Sequence, residues 1–177
     1  MNYMKTKQVK LSLLIASFVL IIGAGFSAQA LVFGSNAVVS FVAPITVTAN
    51  TLPNFGNVIT DVSGQTLTLS TTGAISGANS SDYVSGALAG NYTIKGSASS
   101  TIAISIGGYG ADHNVVPSAA TCAYNGGAVS SPCNLSTQVA PGNAGKTLLV
   151  GLTMTTNNTE TDGTVANPTF QITVVYD

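Results

Sequence analysis

Apolar side chains recur at every second position along much of this chain, and that period restricts it to pleated strands. Across 37–49, Ala37, Val39, Phe41, Ala43, Ile45, Val47 and Ala49 fall on one side, with Ser40, Thr46 and Thr48 on the other. Near the end, Phe170, Ile172, Val174 and Tyr176 share one face while Thr169, Gln171 and Thr173 share the opposite one. One face is core and one is wet. Shorter candidate strands cover 65–70, 91–95, 101–106, 146–155 and 169–176, each bounded by Gly, Pro, Asn or Ser. Several short strands punctuated in this way predict an all-β sandwich or barrel. Pro44 has no N–H to donate, so its strand must lie at an edge, bend, or divide there. The strands 146–155 and 169–176 flank a polar segment containing Asp162-Gly163, a tight-turn signal, and are expected to be an adjacent pair.

Composition supports strands over helices. Charged residues are only 6% of the chain and Gly numbers 19, so the polar surface must be built largely from Ser, Thr and Asn. Scarce Glu, Lys and Arg with abundant Thr and Val disfavour amphipathic helices.

The first thirty residues read differently. Lys5, Lys7 and Lys10 precede an apolar run over 11–26 and then the small residues Ala28-Gln29-Ala30. This is the pattern of a cleaved secretory signal peptide, and the run is short for a membrane crossing of ~20 residues. The expected organisation is a signal peptide, 1–30, and one domain, 31–177, whose segment 31–49 supplies an N-terminal strand or a strand for donation. Cleavage leaves Lys95 and Lys146 against six acidic residues, with no Arg anywhere. Such a chain lacks the cations that neutralise a nucleic-acid backbone, so no nucleic-acid partner is expected, and with the apolar run removed by cleavage no membrane association is expected either.

Cys122 and Cys133 bracket a turn-rich stretch with Asn125-Gly126-Gly127 and Pro132. In an exported chain they are expected to form a local disulfide, which stabilises by ~2–3 kcal/mol in the chain-entropy model.

No catalytic, cofactor-binding or metal site is expected. His113 stands beside Asp112, but a triad needs a carboxylate and a nucleophile converging on one imidazole, and a loop position is the simpler reading. Gly142-Asn143-Ala144-Gly145-Lys146-Thr147 matches a phosphate-binding loop only in part and reads as a turn before a strand. Asn158, Glu160, Asp162 and Gly163 have the spacing that opens a calcium loop, yet the closing position falls on Thr169 inside a strand.

The order of short elements carries a resemblance. After the alternating N-terminal strand come Leu52-Pro53-Asn54-Phe55-Gly56-Asn57-Val58, Asn91-Tyr92-Thr93-Ile94, Thr101-Ile102-Ala103-Ile104, Leu149-Val150-Gly151-Leu152-Thr153-Met154 and Phe170-Gln171-Ile172-Thr173-Val174-Val175-Tyr176. In this succession the chain resembles a family of secreted bacterial domains similar to spore coat protein U and to the pilin subunits of chaperone-usher fimbriae. The resemblance implies an immunoglobulin-like sandwich and, among fimbrial subunits, assembly by donor-strand exchange with a periplasmic chaperone and an outer-membrane usher as partners. The penultimate Tyr176 and the preceding Gly163 fit the terminal-strand pattern of those subunits. The sequence departs from them in having no Cys before Cys122.

The expected function is therefore a non-enzymatic, exported structural subunit of a surface fimbria or coat, passing through the periplasm to the cell surface or medium. It would self-associate or join other surface subunits by β-augmentation. Val39, Phe41, Ile45 and Val47 are the candidate inserting residues, and Phe170, Ile172, Val174 and Tyr176 line the candidate receiving groove. The alternative is a monomeric adhesin binding carbohydrate through Tyr83, Tyr92, Tyr109 and Tyr124 in loops such as Gly107-Gly108-Tyr109-Gly110.

Overall fold

The computed structural model describes residues 39–59, 64, 66–77, 80–156 and 161–177. The chain divides into Met1–Ser40 and Phe41–Asp177, and the fold below is that of the second unit. The segment read as a signal peptide, together with Ala37, Asn158 and Glu160, lies outside the described residues.

Eleven strands are present among the described residues: β1 (Thr46–Thr51), β2 (Asn57–Val58), β3 (Thr66–Leu69), β4 (Ile75–Ser76), β5 (Tyr83–Ser85), β6 (Gly90–Lys95), β7 (Ile102–Gly110), β8 (Val116–Tyr124), β9 (Asn134–Gln138), β10 (Lys146–Thr155) and β11 (Thr169–Tyr176). The described residues contain no α-helix, only a 3-10 turn at Ser80–Asp82. All pairings are antiparallel, and the arrangement is an all-β fold consistent with a sandwich.

The larger sheet is organised by β10. Its first half pairs with β6 and its second half with β3 along one edge, while β8 runs along the other. Period-two alternation turns Leu148, Val150, Leu152 and Met154 inward, and all four are buried. Their cross-strand neighbours Tyr92, Cys122, Tyr124, Leu69, Ala120 and Leu67 are buried with them. β1 continues this sheet beyond β6, and β4 continues it beyond β3.

The smaller of the two sheets that share the core has the order β11-β7-β9, and β2 pairs with β5 in a separate two-stranded ribbon. Ile102 and Ile104 of β7 face the larger sheet and join Tyr92, Ile94, Leu148 and Val150 in one core cluster. Each fully buried Ile, Leu or Val contributes ~1.5–3 kcal/mol, so this shared interior holds the two sheets together. A satellite cluster of Leu67, Val115 and Met154 closes one end, with Phe55, Val58 and Ile75 against it.

Three sequence expectations need correction. The alternating segment 37–49 is a strand only from Thr46 onward. Residues 39–45 form none, because Pro44 cannot donate to a ladder. The expected pairing of 146–155 with 169–176 is absent: β10 is central in the larger sheet and β11 lies at the edge of the smaller one. Gly163, with φ 83°, does form a turn there, but a turn signal fixes local direction and not the sheet the chain joins next. Gly107-Gly108-Tyr109-Gly110 is the end of β7 and not a loop. Gly108 takes φ 59° where Gly107 and Gly110 oppose Gln171 and Thr169, so that three steps along β7 are matched by two along β11, which makes a bulge.

The close approach at the centre of β10 generates a prediction. A Cβ on Gly151 would collide with the Leu69 carbonyl oxygen and lie 2.7 Å from Thr121 Oγ1. Gly151→Ala should destabilise the domain by about 1–3 kcal/mol, as other overpacked sites do, measured as a lower denaturation midpoint with unchanged cooperativity.

Candidate groove between β1 and β11

The two sheets are joined on one side and open on the other. On the joined side, the Cys133 N–H donates to the Ala120 carbonyl of β8 at 2.7 Å, and the Ile106 N–H of β7 donates to the Cys133 carbonyl at 3.2 Å. Cys133 thus stands between the sheets as a one-residue rung. The disulfide Cys122–Cys133, with Cα atoms 5.1 Å apart, locks that rung to β8. The local turn has a clear origin: Asn125 and Gly126 both take positive φ, and Gly127 N–H donates to Tyr124 O at 2.9 Å. That is a type I′ turn, which Asn-Gly favours.

On the open side lie β1 and β11. Among the described residues β1 pairs only with β6, and β11 only with β7, so each has one unpaired edge. Val47 and Ala49 stand opposite Ile94 and Tyr92, whose side chains are buried, and so share the inward face. Val47 is nevertheless 41% exposed. Across the opening, Phe170, Ile172, Val174 and Tyr176 pack on the core but are only half-buried. Both edge strands therefore present partly exposed apolar side chains on the faces that meet the core.

Tyr176 holds one end of the opening together. Its hydroxyl donates to the Ala43 carbonyl at 2.5 Å and accepts from the Ser97 N–H at 2.6 Å. Gly96 is required beside it, since a Cβ there would come within 2.6 Å of Tyr176 Oη and 3.1 Å of Pro141. The chain entering β1 is thus fixed at Ala43, and Ile45 packs against the core. Before that point the chain is apolar and uncovered: Val39 is 67% exposed, Phe41 94% and Val42 53%.

The candidate inserting residues accordingly separate. Ile45 packs against the core, Val47 lies within β1 but is exposed, and Val39 and Phe41 are exposed outside any strand. The four receiving residues come together on one face of β11. The strands β8 and β9 complete the joined side but give weak sequence signals, β8 because Pro117 and small residues blur its alternation, β9 because its sequence Asn-Leu-Ser-Thr-Gln is mostly polar.

The other candidates resolve into structural parts. His113 and Asn114 take φ 45° and 60° in the two-residue turn between β7 and β8, closed by mutual hydrogen bonds of Asp112 and Val115. Asp112 Oδ2 accepts from the Asn167 N–H at 2.7 Å, and Oδ1 lies 3.0 Å from His113 Nδ1. The Asn167 N–H, with help from His113, holds the Asp112 carboxyl below its ordinary range. The imidazole is exposed and acts as part of a turn that is tied to the approach of β11. Lys146 Nζ lies 3.4 Å from Asn125 Oδ1, at the rim of the larger sheet. Tyr92 and Tyr124 are buried, which raises the pKa of each, and the Tyr83 hydroxyl accepts from the Ala87 N–H at 3.0 Å. The tyrosines considered for sugar binding are therefore not gathered on one surface. Among the described residues no three His, Cys, Asp or Glu side chains cluster as metal ligands, and no helix is long and apolar enough to cross a membrane.

Comparison with protein-family models, with curated proteins and with solved structures gave no match to this chain.

The Tyr176 bridge gives a test of this end of the groove. Tyr176→Phe removes the acceptor of the Ser97 N–H and the donor to Ala43, and should destabilise by about 1–3 kcal/mol. The Ser97 amide should exchange with solvent faster than in the parent, to a greater degree than amides in β10.

Proposed function

We propose that this protein is a non-enzymatic, exported structural subunit of a surface fimbria or coat, and that copies associate by adding a strand to the opening between β1 and β11. The observation that carries the reading is the coincidence of an unpaired edge on β11 with a half-buried apolar face on the same strand. A strand laid there gains main-chain hydrogen bonds and covers Phe170, Ile172, Val174 and the inward side of Val47 in one step. The fitting occupant is the apolar segment containing Val39, Phe41 and Val42 of another copy, which has the alternation a sheet edge needs and no cover of its own.

Export is supported by the sequence pattern of residues 1–30 and by the disulfide, a bond that persists in oxidising compartments. The same two features fit a route through the periplasm to the surface, and the order of sequence elements fits relatives of spore coat protein U and fimbrial pilins. A coat or fibre also suits a surface rich in Ser, Thr and Asn and almost free of charge, because like-charge repulsion between packed copies is small.

Association by this route depends on the apolar character of the inserting segment. Burying Phe41 contributes ~1.5–3 kcal/mol, so Phe41→Ser should weaken association of purified exported protein by about 10- to 100-fold in sedimentation experiments. A synthetic peptide of residues 31–45 should bind the parent and block assembly. A parent protein that stays monomeric at high concentration and ignores the peptide would refute strand addition.

A further inference from the structure

The smaller sheet has two outer edges, and they are built differently. β11 is regular from Ile172 to Tyr176, with one-to-one register against β7. β9 is not: Ile102 opposes Gln138 and Ile104 opposes Leu135, so the two steps along β7 are matched by three along β9. The extra residue makes a bulge, and within it Thr137 takes φ 51°.

That conformation is out of character for threonine. The other non-glycine residues with positive φ among those described are His113, Asn114 and Asn125, all in two-residue turns. Asn tolerates the left-handed region, but for a β-branched side chain it is an outlier that surrounding structure must enforce. The same sheet shows the unstrained solution on its other side, where the bulge of β7 places Gly108 at φ 59°.

What enforces it at Thr137 is Asp177. The Thr137 N–H and its hydroxyl both donate to Asp177 Oδ2, at 2.8 and 3.0 Å. The Asp177 N–H donates to the Thr101 carbonyl at 3.0 Å, which places its side chain around the end of β7. The carboxylate at the end of β11 thus reaches past β7 to grip β9. Hydrogen bonds to a charged acceptor are the stronger kind, and threonine supplies two where glycine would supply one.

We infer that Asp177 is a latch that holds an edge-blocking bulge in β9, so that the smaller sheet can grow only from β11. Bulges are a known means of keeping a sheet edge from pairing with another chain. Building this one on threonine makes it conditional: the bulge persists only while the end of β11 is in place to supply the carboxylate. The inference concerns β9 and stands whether or not β11 accepts a strand.

The test uses purified exported protein and three variants, Asp177→Ala, Thr137→Gly and the double substitution. Amide exchange at Thr137 and Gln138 reports the bulge, and sedimentation velocity over a concentration series, with the peptide of residues 31–45 in excess, reports association through edges other than β11. Asp177→Ala should exchange at least tenfold faster at Thr137 and should self-associate. The double variant should return to parental association, because glycine adopts the bulge without a carboxylate, and Thr137→Gly alone should match the parent. If Asp177→Ala does not fold, Asp177→Asn, which keeps one neutral acceptor, should show the same changes to a smaller degree. Unchanged exchange and association in the Asp177 variants would overturn the latch, as would a double variant that associates as strongly as the single. Peptide binding to the parent judges strand addition at β11, whereas the difference between variants judges the latch, so either can fail alone.

Discussion

A β-strand has two hydrogen-bonding edges, and how each is satisfied decides where this fold is closed and where it opens. β10 has both edges filled along nearly its whole length, by β6 and β3 on one side and β8 on the other, and its Leu148, Val150, Leu152 and Met154 are all buried. From β10 the ladders can be followed outward in two directions. One runs through β8 and the Cys133 rung to β9, β7 and β11; the other runs through β6 to β1. The two paths end at β1 and β11, each paired along one edge among the described residues. A disulfide secures the joined side, while the Tyr176 hydroxyl spans one end of the open side. That asymmetry leaves β11 with an unpaired edge beside a half-buried apolar face.

Much of this was legible in the sequence because period-two patterning reports which face of a strand is buried. Leu148, Val150 and Leu152 alternate with outward residues, Tyr92 and Ile94 do the same in β6, and the half-buried face of β11 is its apolar face. The disulfide was legible from two cysteines about a turn in an exported chain. Patterning does not report which strands are neighbours, and so the strands 146–155 and 169–176, close in sequence, fell in different sheets. It also fails where side chains are small or polar: β8, with Pro117 and its run of Ala and Ser, carries part of the core yet shows no clear period-two signal.

The groove was half legible. Its β11 wall could be named in advance, whereas the opposing wall depended on where Pro44 divides the N-terminal segment. With Pro44 before it, the strand begins only at Thr46, so Val47 falls within β1 while Val39 and Phe41 precede it. The bulge at Thr137 had no sequence signal at all, because threonine is an ordinary strand residue and the carboxylate that its N–H and hydroxyl bond lies 40 positions away. Local rules are broken where long-range contacts outweigh them.

The central claim is that β11 is hydrogen-bonded along one edge only. Residue-resolved amide exchange of the isolated domain tests it directly over Ile172–Tyr176, where register with β7 is regular. The account predicts alternation, with every second amide protected by β7 and the intervening ones exchanging quickly. Uniform protection through that stretch would mean that β11 already has a second neighbour, and the groove would not exist.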